Sequence, residues 1–185
     1  MLTDALGLAP HLPDASVKVS SVRGWSPAQS GGSGFEWIGP GPGIGHPSPD
    51  LESSAERLCA LVEDISDAPV ILMGFSQGAA MCSEVMRRRP ELVAGLVALS
   101  GYTLIPPRPA DEHLAASVAA GCGVPGYLGY DEQDGVIIPA ALNWTAEFLR
   151  THTSLTEELF PGLGHRISRT QMPGIANFLR PLLAA

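Results

Sequence analysis

The sequence is poor in basic residues: 11 lysines and arginines stand against 19 aspartates and glutamates, which gives a formal net charge of −8. Nucleic-acid binding needs clustered positive charge that neutralises phosphates, so this balance argues against a nucleic-acid partner. The basic run is Arg87-Arg88-Arg89, directly before Pro90. Because a helix is expected to end at this proline, we interpret the run as a charge cluster facing the negative end of the helix dipole.

Cysteine is scarce as well. Cys59, Cys82 and Cys122 contain no Cys-x-x-Cys pair, and three scattered cysteines do not make a disulfide framework. Each lies among apolar or small residues, which predicts buried free thiols and a reducing, cytoplasmic location. The chain also lacks His-x-His and His-Glu-x-x-His, so we expect no metal site.

Long apolar runs and targeting signals are absent too. No window approaches the ~20 apolar residues that a membrane-spanning helix requires. The opening MLTDALGLAP has no basic region followed by an apolar stretch, so no signal peptide is expected. The glycines at 39, 41, 43 and 45 lack the lysine of a phosphate-binding loop. With 185 residues, 45% hydrophobic and 16% charged, the chain fits one globular domain over residues 1–185.

Apolar runs and amphipathic segments alternate along most of the chain. This pattern predicts an α/β fold with a mainly parallel sheet flanked by helices. The stretch 23–50 is rich in Gly, Pro and Ser, but its aromatic residues need burial, so we interpret it as an ordered loop. Strands are predicted at 17–22, 70–75, 92–102, 124–130 and 155–161, and helices at 49–65, 79–89, 110–120, 139–151 and 171–183.

The segment GFSQG at 74–78 follows the apolar run VILMGF and matches Gly-x-Ser-x-Gly. In a nucleophile elbow a strand turns sharply into a helix, the serine is strained, and crowding around the turn favours flanking glycines. Free N–H groups at the start of the helix favour a developing oxyanion, which makes the N–H of Gln77 a candidate donor. The alternative is that Ser76 is an ordinary helix N-cap, since a chain with 21 glycines matches three positions easily.

A nucleophilic serine needs a base and an acid. His165, in LFPGLGHRIS, follows a predicted strand and is the candidate base. The segment GYDEQDGVIIP also follows a predicted strand, and its Asp131, Glu132 and Asp134 all qualify as the acid, although a solvated acidic turn is the alternative. The order Ser…Asp…His is the order of α/β-hydrolases. The remaining histidines, His11, His46, His113 and His152, are assigned to surface positions.

From the helix before Ser76 onward, the chain resembles the phospholipase/carboxylesterase family, the serine hydrolases that include acyl-protein thioesterases. The similar motifs are GFSQGAAM at 74–81, LSGY at 99–102, PGLGHRIS at 161–168 and GFEWIG at 34–39. The resemblance implies a cofactor-independent α/β-hydrolase that cleaves a small-molecule ester or thioester through an acyl-enzyme. It also implies Asp134, nine residues after Pro125, as the acid, with Asp131 as second choice. Residues Trp25, Phe35, Trp37 and Tyr102 are expected to wall an apolar acyl cleft.

One departure from the family concerns the start of the chain. The family opens with an apolar strand ending in His-Gly-x-Gly, whose loop provides a second oxyanion N–H, and no such motif stands here. We therefore expect an N-terminally short hydrolase domain, or a strand supplied by a second subunit in a homodimer. Loss of one oxyanion donor typically lowers the turnover rate by ~10²–10³-fold. An alternative hypothesis is therefore a catalytically impaired hydrolase-fold protein that binds an acyl ligand, or that performs cyclisation or acyl transfer.

Overall fold

The computed structural model describes residues 18–28, 34–39, 43–105 and 107–184. A short antiparallel ribbon comes first, and a four-stranded parallel sheet follows, whose strands lie side by side in the order of the chain. The strands are β1 (Ser26–Pro27), β2 (Phe35–Glu36), β3 (Val70–Phe75), β4 (Val93–Leu99), β5 (Pro125–Tyr130) and β6 (Ser154–Leu159). The helices are α1 (Pro49–Ile65), α2 (Gln77–Arg88), α3 (Pro109–Ala119), α4 (Pro139–His152) and α5 (Met172–Leu183). The predicted α/β fold with a parallel sheet is confirmed.

Helix α1 shows how local sequence sets an element. The side chain of Ser48 accepts a hydrogen bond from the N–H of Leu51 at 3.2 Å, and Pro49 occupies the first helical position. Both features favour a helix start. The first N–H groups of a helix need acceptors from outside it, which Ser48 supplies, and proline has no N–H that would need one. The buried residues of α1 recur at helical spacing and pack toward the sheet: Leu51, Ala55, Leu58 and Val62.

The sheet has a core on each face. Strand β4 is buried along most of its length, and its alternate residues enter different clusters, as strand geometry requires. Leu96 and Ala98 join the larger cluster, which also contains the buried faces of α1, α2 and α4. Val97 and Leu99 join the smaller cluster, which is completed by Tyr127 and α5. Parallel strands between helix layers all point their carboxyl ends to the same edge, which is where ligands bind in such sheets.

The predicted strand at 17–22 is not present in its described part. Residues 18–24 form no strand, the side chains at 18–21 are exposed, and Val17 lies outside the described residues. A strand needs a neighbour for its backbone hydrogen bonds, and nothing in the described ranges pairs with the outer edge of β3. Met73 in β3 is 38% exposed, so the flanking helices do not cover both faces of this strand over its whole length.

The stretch 23–50 contains the ribbon formed by β1 and β2, so its described parts are ordered, while residues 29–33 and 40–42 lie outside the described chain. Trp25 and Trp37 meet edge-on, with ring centroids 5.5 Å apart, and the Arg57 guanidinium lies over Trp25 at 4.3 Å. Phe35 is different: it is 42% exposed, with Arg23 above its ring. The prediction that its ring needs burial is wrong.

Arg87 also departs from its predicted surface role. Its side chain is fully buried on the inner side of α2, where it donates to Glu84 at 3.0 Å, to Asp111 at 3.3 Å and to the Leu104 carbonyl at 3.1 Å. Its guanidinium also lies 4.1 Å from the ring centroid of Phe148. The helix-end interpretation of the basic run is therefore wrong for Arg87, which instead ties α2 to α3 and α4.

The cysteines divide into two environments. All three are free, with Cys59 and Cys82 buried and Cys122 exposed. Burial raises the pKa of the Cys82 thiol to about 12 and also raises the pKa of Cys59, which disfavours the reactive thiolate at both positions. The prediction of buried thiols is thus confirmed for two of them and wrong for Cys122, which follows the end of α3.

Candidate active site

Ser76 lies at the sharp turn between β3 and α2. Its backbone has φ 54° and ψ −121°, a conformation that costs a residue with a side chain about 1–3 kcal/mol and persists only where its surroundings hold it. The surroundings do so: its N–H donates to the carbonyl of Leu99 at 3.1 Å, and its carbonyl accepts from the N–H of Ala79 at 3.0 Å. The side chain makes no capping hydrogen bond, so Ser76 does not behave as an ordinary N-cap.

Crowding at this turn explains one of the two motif glycines. A Cβ on Gly74 would lie 2.2 Å from the carbonyl of Gly78 and 2.4 Å from the nitrogen of Ala79. Gly101, after β4, is equally confined, since its Cβ would lie 2.3 Å from the Cβ of Ala79. A Cβ on Gly78 would meet nothing within 4 Å, so the expectation that crowding demands both flanking glycines is wrong for Gly78.

His165 reaches Ser76 from the loop after β6. Gly162 and Gly164 have φ values of 80° and 65°, which glycine adopts without strain and which turn this loop back over the sheet edge. The Nε2 atom of His165 lies 3.1 Å from the Oγ of Ser76. Its ring packs against Phe75, with the two ring centroids 4.8 Å apart. The predicted base and the predicted nucleophile are therefore within hydrogen-bonding distance.

Asp134 completes the chain of contacts. Its Oδ2 lies 2.8 Å from the Nδ1 of His165, and its Oδ1 accepts from the N–H groups of Val136 at 2.8 Å and Ile137 at 2.9 Å. Burial raises the pKa of the Asp134 carboxyl, but the hydrogen bonds from Ile137, His165 and Val136 lower it further, so the pKa lies below its ordinary value. An ionised carboxylate accepts a hydrogen bond from Nδ1–H, which leaves Nε2 unprotonated and able to accept the hydroxyl proton of Ser76.

The other two candidate acids do not contact the imidazole. Asp131 accepts from the N–H of Gly164 at 2.7 Å and from the N–H of Gln133 at 3.0 Å, and these two bonds lower the pKa of its carboxyl. Asp131 therefore holds the backbone of the loop that carries His165, whereas Asp134 contacts the imidazole ring itself. Glu132 is exposed. Among the three carboxylates that the sequence left open, only Asp134 reaches His165.

The other histidines that the structure describes lie away from this chain of contacts. His46 and His113 are exposed. His152, near the end of α4, stacks on Phe148 with ring centroids 4.3 Å apart, and its Nδ1 lies 2.7 Å from the Phe148 carbonyl. His11 lies outside the described residues.

Gln77 makes contacts that sequence reasoning missed. It is the first residue of α2, so its N–H has no acceptor within the helix, in keeping with the predicted oxyanion donor. Its side chain reaches the segment after β2, where Oε1 accepts from the N–H of Trp37 at 3.1 Å and Nε2 donates to the carbonyl of Ile38 at 3.2 Å. No local pattern could reveal this contact, because its partners lie 40 and 39 residues away along the chain.

The aromatic residues expected at the cleft differ in exposure. Trp25 and Trp37 are partly buried against each other. Tyr102 is 6% exposed and burial raises the pKa of its phenol to about 12, so the hydroxyl stays neutral.

Within the described ranges, no group of three His, Cys, Asp or Glu side chains has a metal-binding arrangement. The helices described here are also too short or too polar to cross a membrane.

A parallel sheet with a serine on a sharp strand-to-helix turn, and with His and Asp on later strand-end loops, is the arrangement of the α/β-hydrolase fold. The comparisons with known proteins agree with this class. The model of the phospholipase/carboxylesterase family matches residues 52–183, and the chain belongs to that family.

Solved structures show the same fold at low identity. Esterase PE8 is 22% identical, with a TM-score of 0.65 over 86% of this chain and 76% of that one. SOBER1 from Arabidopsis thaliana is 16% identical, with a TM-score of 0.66 over 98% and 92% of the two chains. Acyl-protein thioesterase 2 from Zea mays is 16% identical, with a TM-score of 0.60 over 85% and 78%. No curated protein matches the chain by sequence.

Proposed function

We propose that the protein is a serine hydrolase that cleaves carboxylic esters or thioesters through an acyl-enzyme. The observation that carries this proposal is the continuous chain from Ser76 Oγ to His165 Nε2, 3.1 Å, and from His165 Nδ1 to Asp134 Oδ2, 2.8 Å. These are the distances at which a hydroxyl can pass its proton to an imidazole held by a carboxylate. Membership of the phospholipase/carboxylesterase family supports the same reaction class.

In the proposed reaction, Ser76 Oγ attacks the carbonyl carbon of the substrate while His165 Nε2 takes the hydroxyl proton. Asp134 stabilises the resulting imidazolium, and the N–H of Gln77 donates to the oxyanion. The imidazolium then protonates the leaving alcohol or thiol as the tetrahedral intermediate collapses to the acyl-enzyme. A water molecule, deprotonated by His165, then attacks the acyl carbonyl. As the bond to Ser76 Oγ breaks and the acid leaves, His165 returns the proton to that oxygen. This cycle consumes only ester and water and calls for no cofactor.

We further propose that the acyl group binds against the aromatic residues of the ribbon. Trp37 and Trp25 form one edge-on pair, and Trp37 is hydrogen-bonded to the residue that follows the nucleophile. Phe35 is 42% exposed, with the Arg23 guanidinium 3.9 Å from its ring centroid, so part of this apolar side chain is accessible to a substrate. Tyr102 is assigned to the same wall because it follows Gly101, which packs against the elbow.

The activity is tested by product analysis on matched ester and thioester substrates. We expect p-nitrophenyl acetate and an acyl thioester to be hydrolysed to the free acid, with an initial burst of leaving group equal to the enzyme concentration. Formation of an ester with an added alcohol, or of a cyclised product, would instead indicate acyl transfer. Binding of a long-chain acyl analogue without any turnover would contradict the hydrolase proposal and favour a binding protein.

The assignment of the acid leads to a separate prediction. Asp134→Asn is expected to lower kcat by about 10⁴-fold, because an amide at this position favours the wrong imidazole tautomer. The matched variant Asp131→Asn changes a carboxylate that contacts only backbone N–H groups, and we expect at most a roughly tenfold loss in kcat from looser positioning of the histidine loop. Steady-state kinetics on one ester measures both. A larger loss in Asp131→Asn than in Asp134→Asn would reverse the assignment.

A further inference from the structure

Three hydrogen bonds fix the backbone of Trp37 and Ile38. The side chain of Gln77 accepts from the N–H of Trp37 at 3.1 Å and donates to the carbonyl of Ile38 at 3.2 Å. On the other side, the hydroxyl of Ser54 on α1 donates to the carbonyl of Trp37 at 2.8 Å. The carboxamide of Gln77 thus pairs with two consecutive residues through one donor and one acceptor, as the peptide group of a neighbouring strand would.

These bonds join two parts of the molecule that are remote in sequence. Gln77 directly follows Ser76 and begins α2, whereas Trp37 directly follows β2. Each strand of the ribbon has two residues, and an isolated two-stranded ribbon is at best marginally stable in water. The ribbon therefore depends on outside contacts for its position, and the Gln77 side chain links it to the residue beside the nucleophile.

Within the ribbon, the position of Trp37 is coupled to that of Trp25. Gly24 lies so close to β2 that a Cβ on it would be 2.2 Å from the carbonyl of Glu36. Trp25 follows Gly24 and packs edge-on against Trp37. A shift of the Trp37 backbone would therefore move both indoles together.

We infer that the side chain of Gln77 is a positioning residue that determines acyl-group specificity, because it holds the aromatic ribbon beside Ser76. This inference rests on the proposed function and adds to it. The backbone N–H of Gln77 is the proposed oxyanion donor, whereas its carboxamide is hydrogen-bonded to Trp37 and Ile38 and would act only through them.

The requirement for an amide follows from the two partners. Glutamate could still accept from the Trp37 N–H, but its second oxygen would face the Ile38 carbonyl, so two acceptors would meet. Methionine has nearly the same length and shape but no donor and no strong acceptor, so Trp37 N–H and Ile38 C=O would both lose their partner. Gln77→Met therefore removes the tether while keeping the backbone N–H of residue 77.

The test compares kcat/KM for p-nitrophenyl acetate and p-nitrophenyl decanoate in wild type, Gln77→Met and Ser54→Ala. In Gln77→Met we expect the decanoate-to-acetate ratio to fall about tenfold or more, mainly through a higher KM for decanoate, because the aromatic wall is no longer held in place. Ser54→Ala removes the bond on the far side of Trp37 and leaves the elbow untouched, and we expect a smaller fall in the same ratio. An equal loss on both esters, with the ratio unchanged, would overturn the inference.

A second readout is independent of turnover. In a Trp144→Phe background, the fluorescence comes from Trp25 and Trp37 alone, since the chain has 3 tryptophans. Acrylamide quenching should increase in Gln77→Met, and unchanged quenching would overturn the tether. A wild type that hydrolyses neither these two esters nor an acyl thioester would overturn the proposed function and the specificity role together. Increased quenching in Gln77→Met would in that case still show that the side chain of residue 77 holds the ribbon.

Discussion

Replacing Ser76 or His165 by alanine is expected to lower kcat for ester hydrolysis by about 10⁶-fold in each case, and the double variant should be no slower than either single one. The reason is geometric. The hydroxyl of Ser76 is a poor nucleophile unless the Nε2 of His165, 3.1 Å away, accepts its proton as it attacks. When either residue is replaced, the proton transfer between them is lost, so replacing the second residue as well lowers the rate no further.

Two variants provide matched controls for this prediction. Ser100, like Ser76, has a positive φ at the carboxyl end of a strand, and Ser100→Ala is expected to change kcat by less than about tenfold. His113 is exposed on α3, and His113→Ala should leave kcat unchanged. Steady-state rates and circular dichroism on all variants separate loss of chemistry from loss of fold. A double variant whose loss equals the product of the single losses would contradict the mechanism, since the two residues would then act independently.

Arg87→Ala is expected to lower the free energy of unfolding by about 3–5 kcal/mol. The fully buried guanidinium contacts Glu84, whose side chain is also fully buried, and Asp111, so alanine would remove a cation that both carboxylates share in a low-dielectric setting. Glu84 would keep only less buried partners such as Arg108, whose guanidinium lies 3.2 Å from its other oxygen. The variant would also lose the contact of Arg87 with the Phe148 ring. The penalty comes mainly from the reduced compensation of these buried carboxylates, and it should be far larger than that of a surface pair.

Arg150 offers the comparison for Arg87. It pairs with Glu157 at 2.7 Å, but its side chain is 58% exposed, so we expect Arg150→Ala to cost less than about 1 kcal/mol. Urea unfolding at constant pH, followed by circular dichroism, measures both variants on one scale. If Arg87→Ala lost no more stability than Arg150→Ala, the buried network would not contribute as the structure indicates.

Much of the fold was predictable because the spacing of apolar residues and the residues that begin or end helices indicate the same elements over long stretches. In α1, the apolar spacing and the Ser48-Pro49 start point to the same helix, and in β4 a continuous apolar run matches a strand between two helix layers. The candidate site was predictable for a related reason. Ser76, His165 and the acidic segment 131–134 each follow a predicted parallel strand, and the carboxyl ends of such strands meet at one edge of the sheet. The choice of Asp134 within that segment came from the resemblance to the family, because strand position alone does not distinguish its three carboxylates.

The errors occurred where the outcome depends on a distant partner. Residues 17–22 are valine-rich like a strand, but a strand forms only where another backbone completes its hydrogen bonds. Arg87 lies in a basic run typical of a solvated helix end, and its burial depends on Asp111 and Phe148, which lie 24 and more residues further along the chain. The contacts of Gln77 with Trp37 and Ile38 have no local signature for the same reason.

The most direct test of the central claim, that Ser76 is an activated nucleophile, is mass-spectrometric mapping after treatment with a fluorophosphonate. We expect a single adduct on Ser76, absent from Ser76→Ala and formed far more slowly in His165→Ala, because the reagent needs the serine oxygen that His165 activates. An unmodified Ser76 under conditions that label a known serine hydrolase, or an adduct formed at the same rate without His165, would contradict the account.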